Sequence, residues 1–230
     1  MSDLLAPIDT RPPLVQLTRQ GTICGSSETL AQLRVQFSQQ HYFRLPQLLE
    51  AELLDVVQKQ IDSGEFYERV HEEIDSNKEL CLRQNAASDA LLFLINDEKL
   101  FEIIQQITGC GPIRCFDGRI YRANPGNGHH DSWHNDVGDD RLVGLTLNLA
   151  REEYSGGVLQ LRERESGETI GEIANVRAGD AVVFRLARNL QHRISEVTGN
   201  APKTAFAGWF KAQPHFSQFH RIAVTESSRG

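Results

Sequence analysis

Three side chains in the second half of this 230-residue chain could share one cation. His134 and Asp136 stand two apart in Trp133-His134-Asn135-Asp136. Alternate residues of an extended segment point to one side, so this imidazole and this carboxylate can face the same metal. His192, in GDAVVFRLARNLQHRISEV, offers a second imidazole from a later extended run. Two imidazoles and a carboxylate on one face suit Fe(II), and leave the opposite face open for a chelating co-substrate and O₂. His129-His130-Asp131 is a second HxD in the same loop, and spacing alone leaves it in play. His134 is favoured because it lies directly ahead of the strand-like run 142–149. The plainer reading of His129 and His130 is that of loop histidines.

Such ligands need rigid elements behind them, and the sequence changes character near Gly111 to supply them. Before it, apolar residues recur at helical spacing over about 28–40, 50–62, 88–95 and 97–108. Ser26 and Ser27 offer an N-cap to the first helix, and Gly64 and Gly109 stop the second and the last. After it come short β-like runs at 113–123, 142–149, 157–163, 169–174, 181–186, 190–197 and 203–212, parted by Gly, Asn, Pro or charged turns. Many short strands in sequence favour a sandwich or jelly roll. In the run 142–149, Val143, Leu145, Leu147 and Leu149 make an apolar face, while Gly144, Thr146 and Asn148 make a small, polar one. The polar face suits a barrel that holds something other than core.

The expected organisation is one domain over 1–230: an extended peripheral arm at 1–22, a mainly helical support at 23–110, and a jelly-roll core at 111–214. Pro12 and Pro13 oppose a helix in the arm. A hydrophobic content of 40% can bury one substantial core. The net charge of −7 argues against broad nucleic-acid or anionic-membrane partners, which need a positive surface field. The opening residues carry no signal-peptide pattern and no run reaches a membrane span, so a cytoplasmic protein is expected. Cys24, Cys81, Cys110 and Cys115 lack CxxC spacing, which reads as reduced thiols rather than a zinc cage or a disulfide scaffold.

Taken in order, these motifs resemble the 2-oxoglutarate/Fe(II)-dependent oxygenases, particularly the prolyl-4-hydroxylase-like branch. The resemblance rests on PGNG at 125–128, HxD at 134–136, Arg141 leading into LTLNL, YSGGVLQL at 154–161, GDAVVF at 179–184, His192, and PKTAFAGWF with Lys203 and Trp209. It covers about residues 113–212, and the helical opening around 42–62 is similar to the family's entry. It implies a double-stranded β-helix, mainly β with supporting N-terminal helices, and the cofactor set Fe(II), 2-oxoglutarate and O₂. It also implies His134, Asp136 and His192 as catalytic metal ligands and Lys203 as the partner of the far carboxylate of 2-oxoglutarate. Thr146 falls where the family often places a hydroxyl on the same carboxylate, and Tyr121 could serve similarly. The chain departs from the family pattern at Asn124, where a tyrosine often precedes the PG turn.

The reaction this implies converts 2-oxoglutarate and O₂ to succinate and CO₂ while hydroxylating an unactivated C–H bond. Asp136 stands where halogenating relatives have a small residue, so hydroxylation is expected. The substrate expected is a small molecule, an amino acid or a peptidyl group. Arg119, Arg122, Arg185 and Arg188 are candidates for a substrate carboxylate if they face inward, and Arg193, beside the ligand His192, should face away. Two alternatives stay open at this point: a cupin-type dioxygenase or isomerase without 2-oxoglutarate, and a non-catalytic jelly-roll binding domain.

Overall fold

Each helix begins and ends where local chemistry dictates. The computed structural model describes residues 13–71, 77–126, 132–138, 140–175 and 177–214. Helix α1 (Ser27–Gln40) starts where the Ser26 hydroxyl accepts from the Thr29 N–H. It stops at His41, a left-handed residue whose N–H returns to the Phe37 carbonyl. Helix α2 (Ala51–Asp62) buries Val57 and Ile61. Asn85 caps α3 (Ala86–Ile95), and Asp97 caps α4 (Glu98–Thr108), which Gly109 ends at a φ of 66°.

The strands described are β1 (Val15–Thr18), β2 (Gly21–Cys24), β3 (Tyr42–Leu45), β4 (Phe66–His71), β5 (Asn77–Leu82), β6 (Cys115–Ala123) and β7 (Arg141–Asn148). After them come β8 (Ser155–Gly156), β9 (Leu159–Glu163), β10 (Thr169–Ile173), β11 (Ala181–Arg185), β12 (Leu190–Ile194), β13 (Val197–Thr198) and β14 (Lys203–Lys211). Seven form one sheet in the order β3-β11-β7-β14-β6-β5-β4, with antiparallel neighbours throughout. A smaller antiparallel sheet has the order β10-β9-β12. Leu159, Leu161 and Ile173 of the small sheet pack on Val182 and Phe184 of the large one. This closes the barrel: the fold is the double-stranded β-helix expected, mainly β, with helices on the outside of the large sheet.

The two faces of β7 divide as their alternation requires. Val143, Leu145 and Leu147 join Leu149 in the main core with α1, α4 and the Phe206 and Phe210 rings of β14. Gly144, Thr146 and Asn148 turn the other way, into the barrel. A Cβ at Gly144 would collide with the Phe184 ring, so glycine there leaves room for the aromatic.

Two segments differ from the sequence expectation. Residues 66–82, read within a mainly helical half, form the hairpin β4–β5 that extends the large sheet. Its charged residues hide the β alternation, and such charges suit an edge strand, where they discourage pairing with another chain. Residues 15–24, read as part of a peripheral arm, form the β1–β2 hairpin. Val15 and Leu17 are fully buried there, and the Leu17 N–H donates to the Leu48 carbonyl at 2.6 Å. Among the described residues no helix is long and apolar enough to cross a membrane.

Candidate metal centre

His192 lies in β12, and one backbone bridge brings His134 beside it. The two residues exchange both hydrogen bonds, His134 N–H to His192 O at 3.1 Å and His192 N–H to His134 O at 2.8 Å. Paired residues of antiparallel strands share a face, so both imidazoles point into the barrel, with ring centroids 4.4 Å apart. Asp136, two residues on, points the same way. Its Oδ2 lies 3.1 Å from His192 Nε2 and 3.9 Å from His134 Nε2. One ligand atom from each of the three falls within 4.8 Å of the others, as binding a single cation requires.

Their surroundings fix the donors. His134 Nδ1 lies 2.7 Å from the Ser132 carbonyl, so a proton there is donated away from the centre and Nε2 keeps its lone pair for a metal. The Phe184 ring packs against His192, tilted by 58° with centroids 4.9 Å apart. Trp209 Nε1–H donates to Asp136 Oδ2 at 2.9 Å, and Arg141 donates to Oδ1 at 3.2 Å while its guanidinium lies 3.9 Å above the Trp209 ring. Burial alone would raise the Asp136 pKa. The His192 hydrogen bond and charge, the His134 charge and the Trp209 N–H overcome it and hold the carboxyl at about 2. The group is therefore an anion at neutral pH, which a metal ligand must be.

Further into the barrel one wall is polar. Lys203, at the start of β14, is 3% exposed and donates to the Gly157 carbonyl at 2.7 Å, with its ammonium 5.9 Å from the centre of the Tyr121 ring. Gly157, at a φ of +59°, would bring a Cβ within 2.9 Å of the lysine Cδ, so the residue there must be small. The register sets Thr146 and Asn148 of β7 opposite Ala207 and Ala205, and those alanines opposite Arg119 and Tyr121 of β6. Thr146 Oγ1 and Asn148 Nδ2 are buried and meet no hydrogen-bond partner. Two unpaired polar atoms beside two alanines and a buried ammonium describe a cradle for an anionic, oxygen-bearing guest, and 2-oxoglutarate is such a guest. The residues present thus fit both groups, Fe(II) at the three ligands and 2-oxoglutarate along the polar wall.

Reasoning from sequence brought His134, Asp136, His192, Lys203, Thr146 and Tyr121 forward, and all six face this interior. It gave no role to Asn148 or to the Trp209 and Arg141 grip on Asp136. Of the four arginines considered for a substrate carboxylate, Arg119 alone is on the interior face, where its Nε donates to Glu79 at 2.6 Å. Arg122 lies on the outer face against Phe66 and Thr204, Arg185 lies over Phe37 on the helix side, and Arg188 is in an exposed turn. Arg193 faces away from the centre as expected and donates to Gln160. His129, His130, Asp131 and the end of the PGNG turn lie outside the described residues.

Residues 118–211 match the family model of the 2OG-Fe(II) oxygenase superfamily. A comparison with curated protein sequences gives no match. Among solved structures, an oxidoreductase of the 2OG-Fe(II) oxygenase family from Burkholderia pseudomallei superposes with a TM-score of 0.61 at 16% identity, over 83% of this chain and 94% of that one. A Pseudomonas putida prolyl-4-hydroxylase gives 0.60 at 22% identity, over 80% of this chain and 99% of that one. A Trichoplax adhaerens prolyl hydroxylase, solved with a hypoxia inducible factor peptide fragment, gives 0.58 at 17% identity over 81% and 94%. The fold is that of the 2OG-Fe(II) oxygenases, residues 118–211 match that superfamily's model, and the His-Asp-His cluster lies within the matched segment, so this part of the chain is similar to the Fe(II)- and 2-oxoglutarate-dependent dioxygenases.

Proposed function

We propose that the protein hydroxylates an unactivated C–H bond of a small-molecule, amino-acid or peptidyl substrate, coupled to conversion of 2-oxoglutarate and O₂ to succinate and CO₂. The observation that carries this reading is the meeting of His134, Asp136 and His192 at one end of a barrel whose inward wall holds Lys203, Thr146 and Asn148. Fe(II) held by the three ligands would supply the oxidising chemistry that the side chains lack.

The protein's own contribution is placement. His134 and His192 present imidazole nitrogens and Asp136 an oxygen, and the remaining side is left to co-substrate and O₂. Lys203 provides the charge that meets the far carboxylate of 2-oxoglutarate, with the Thr146 hydroxyl, the Asn148 amide and Tyr121 alongside it. Leu161, Val182 and Phe184 pack the opposite wall and exclude water there. Asp136 fills the position that a halide would need, which favours hydroxylation over halogenation.

The test is succinate formation from 2-oxoglutarate with Fe(II) and O₂, measured with panels of amino acids, peptides and small acids. Turnover stimulated by one panel, with a product heavier by one oxygen, supports the proposal. A product that has gained no oxygen rejects it.

A further inference from the structure

The segment that carries two of the three candidate ligands, Ser132 to Asp136, is not part of a regular strand. Among the described residues, the His134–His192 bridge is what ties its backbone to β12. Two hydrogen bonds are a slight hold for residues that must keep their place relative to His192, and the other face of the sheet adds to it. Because His134 points inward, Trp133 points outward, and continuing the register of the bridge sets it opposite Arg193. Its ring meets two guanidiniums, with Arg162 Cζ at 4.2 Å and Arg193 Cζ at 4.5 Å from the ring centre.

Both arginines are anchored across the β12–β9 pair. Arg162 donates through Nε and Nη2 to Gln191 Oε1 at 2.9 and 2.7 Å, and Arg193 Nε donates to Gln160 Oε1 at 2.6 Å. Gln191 is the register partner of Arg162, and Gln160 that of Arg193. Gln191 and Arg193 flank His192 in sequence, so the groups that grip the indole are the immediate neighbours of a ligand and their partners on β9. A guanidinium is attracted to an aromatic face, and two anchored guanidiniums against one ring resist its displacement.

We propose that Trp133 is a positioning residue for the metal centre, holding His134 and Asp136 in register with His192 through a clamp formed by its contacts with Arg162 and Arg193. This rests on the reading of those three residues as the iron ligands. A tryptophan that only covered the sheet would add thermal stability and leave the ligand geometry alone, so the two roles separate when the metal itself is observed.

The experiment is Co(II) binding to the full chain, followed by its visible absorption and by calorimetry, with the thermal midpoint of each metal-free variant recorded. Trp133→Ala is expected to raise the Co(II) dissociation constant about tenfold or more and to shift the absorption envelope, the size of effect seen when groups that orient metal ligands are lost. Trp133→Phe, which keeps an aromatic face for the guanidiniums, should recover most of the affinity. The double variant Arg162→Gln/Arg193→Gln leaves the indole in place, alters only outward side chains and should weaken Co(II) binding as Trp133→Ala does. Parent-like affinity and absorption in Trp133→Ala overturn the proposal. Parent-like Co(II) binding by the double variant overturns it whatever Trp133→Ala does, including failure to fold. His192→Ala separates the two readings: if it binds Co(II) like the parent, the ligand assignment itself fails, whereas if it loses Co(II) and the clamp variants do not, only the clamp fails.

Discussion

The indole N–H of Trp209 is 2.9 Å from Oδ2 of Asp136, the carboxylate oxygen turned toward both imidazoles, while Arg141 takes Oδ1. The two oxygens therefore have different partners before any metal arrives, and Oδ2 is the one aimed at the centre. Trp209 also fixes the arginine, whose guanidinium lies 3.9 Å from its ring centre.

Trp209→Phe removes the N–H with the pyrrole half of the indole and keeps a phenyl ring for Arg141. With one donor gone the Asp136 carboxylate is less well oriented and less strongly held as an anion, so Fe(II) or Co(II) affinity should fall about tenfold. The pKa of Asp136, about 2 in the parent, should rise, since the hydrogen bond that is lost favours the charged form. Calorimetric Co(II) titration of the folded variant measures the first effect. Unchanged affinity would mean that the hydrogen bond is incidental.

Asn148 supplies the second prediction. Its Oδ1 accepts from the Ala150 N–H at 3.0 Å, and its buried Nδ2 meets no partner. Asn148→Asp keeps the acceptor and the shape but sets a carboxylate where the amide would donate to 2-oxoglutarate. Loss of a hydrogen bond to a charged group costs about 1.5 to 3 kcal/mol, and like-charge repulsion adds to it. Binding of 2-oxoglutarate to the anaerobic Fe(II) protein should weaken at least tenfold, with Fe(II) affinity little changed. Parent-like 2-oxoglutarate binding would place the co-substrate away from β7.

A third prediction concerns the β1–β2 hairpin. Leu17 is 1% exposed and packed in the main core, so Leu17→Ala should lower stability by about 2 to 5 kcal/mol. Deleting residues 1–12 removes none of the described packing and should leave the thermal midpoint close to that of the parent. A large drop on that deletion would show that the first twelve residues contribute to the fold.

What the sequence disclosed, and what it withheld, follows from the range of the interactions. His134 and Asp136 were legible because one short extended segment sets both side chains on one face. The strands after Gly111 were legible because glycines and polar turns separate runs of a few apolar residues. Thr146 and Asn148 showed as a small polar face, but only the structure reveals that their side chains lack partners, since that depends on Ala205 and Ala207 from a distant strand. Trp209 stands 73 positions from Asp136, and nothing local to either residue announces their hydrogen bond. The hairpin β4–β5 was hidden by its edge chemistry, and β1–β2 by the prolines just ahead of it.

The last prediction concerns Lys203, whose buried ammonium donates to the Gly157 carbonyl on the inward wall of the barrel. A desolvated ammonium favours an anion within reach, and the far carboxylate of 2-oxoglutarate would supply that charge. 2-Oxoglutarate should therefore bind far better than pyruvate, which presents the same chelating end but no distal carboxylate. Removing one member of a desolvated charge pair costs about 3 to 5 kcal/mol, so Lys203→Ala should raise the 2-oxoglutarate requirement by about two to three orders of magnitude. Its Fe(II) affinity should stay near that of the parent, because Lys203 is not among the three ligands. Lys203→Arg should keep part of the function: the charge is preserved, but the longer planar fork must fit where Gly157 already lies against the lysine stem and Tyr121 lines the pocket. The measurements are succinate formation over a range of 2-oxoglutarate concentrations and the absorption of the anaerobic Fe(II) complex on adding 2-oxoglutarate. If Lys203→Ala binds 2-oxoglutarate as tightly as the parent, the far carboxylate is held elsewhere, and Arg119, on the same interior face, becomes the residue to change next.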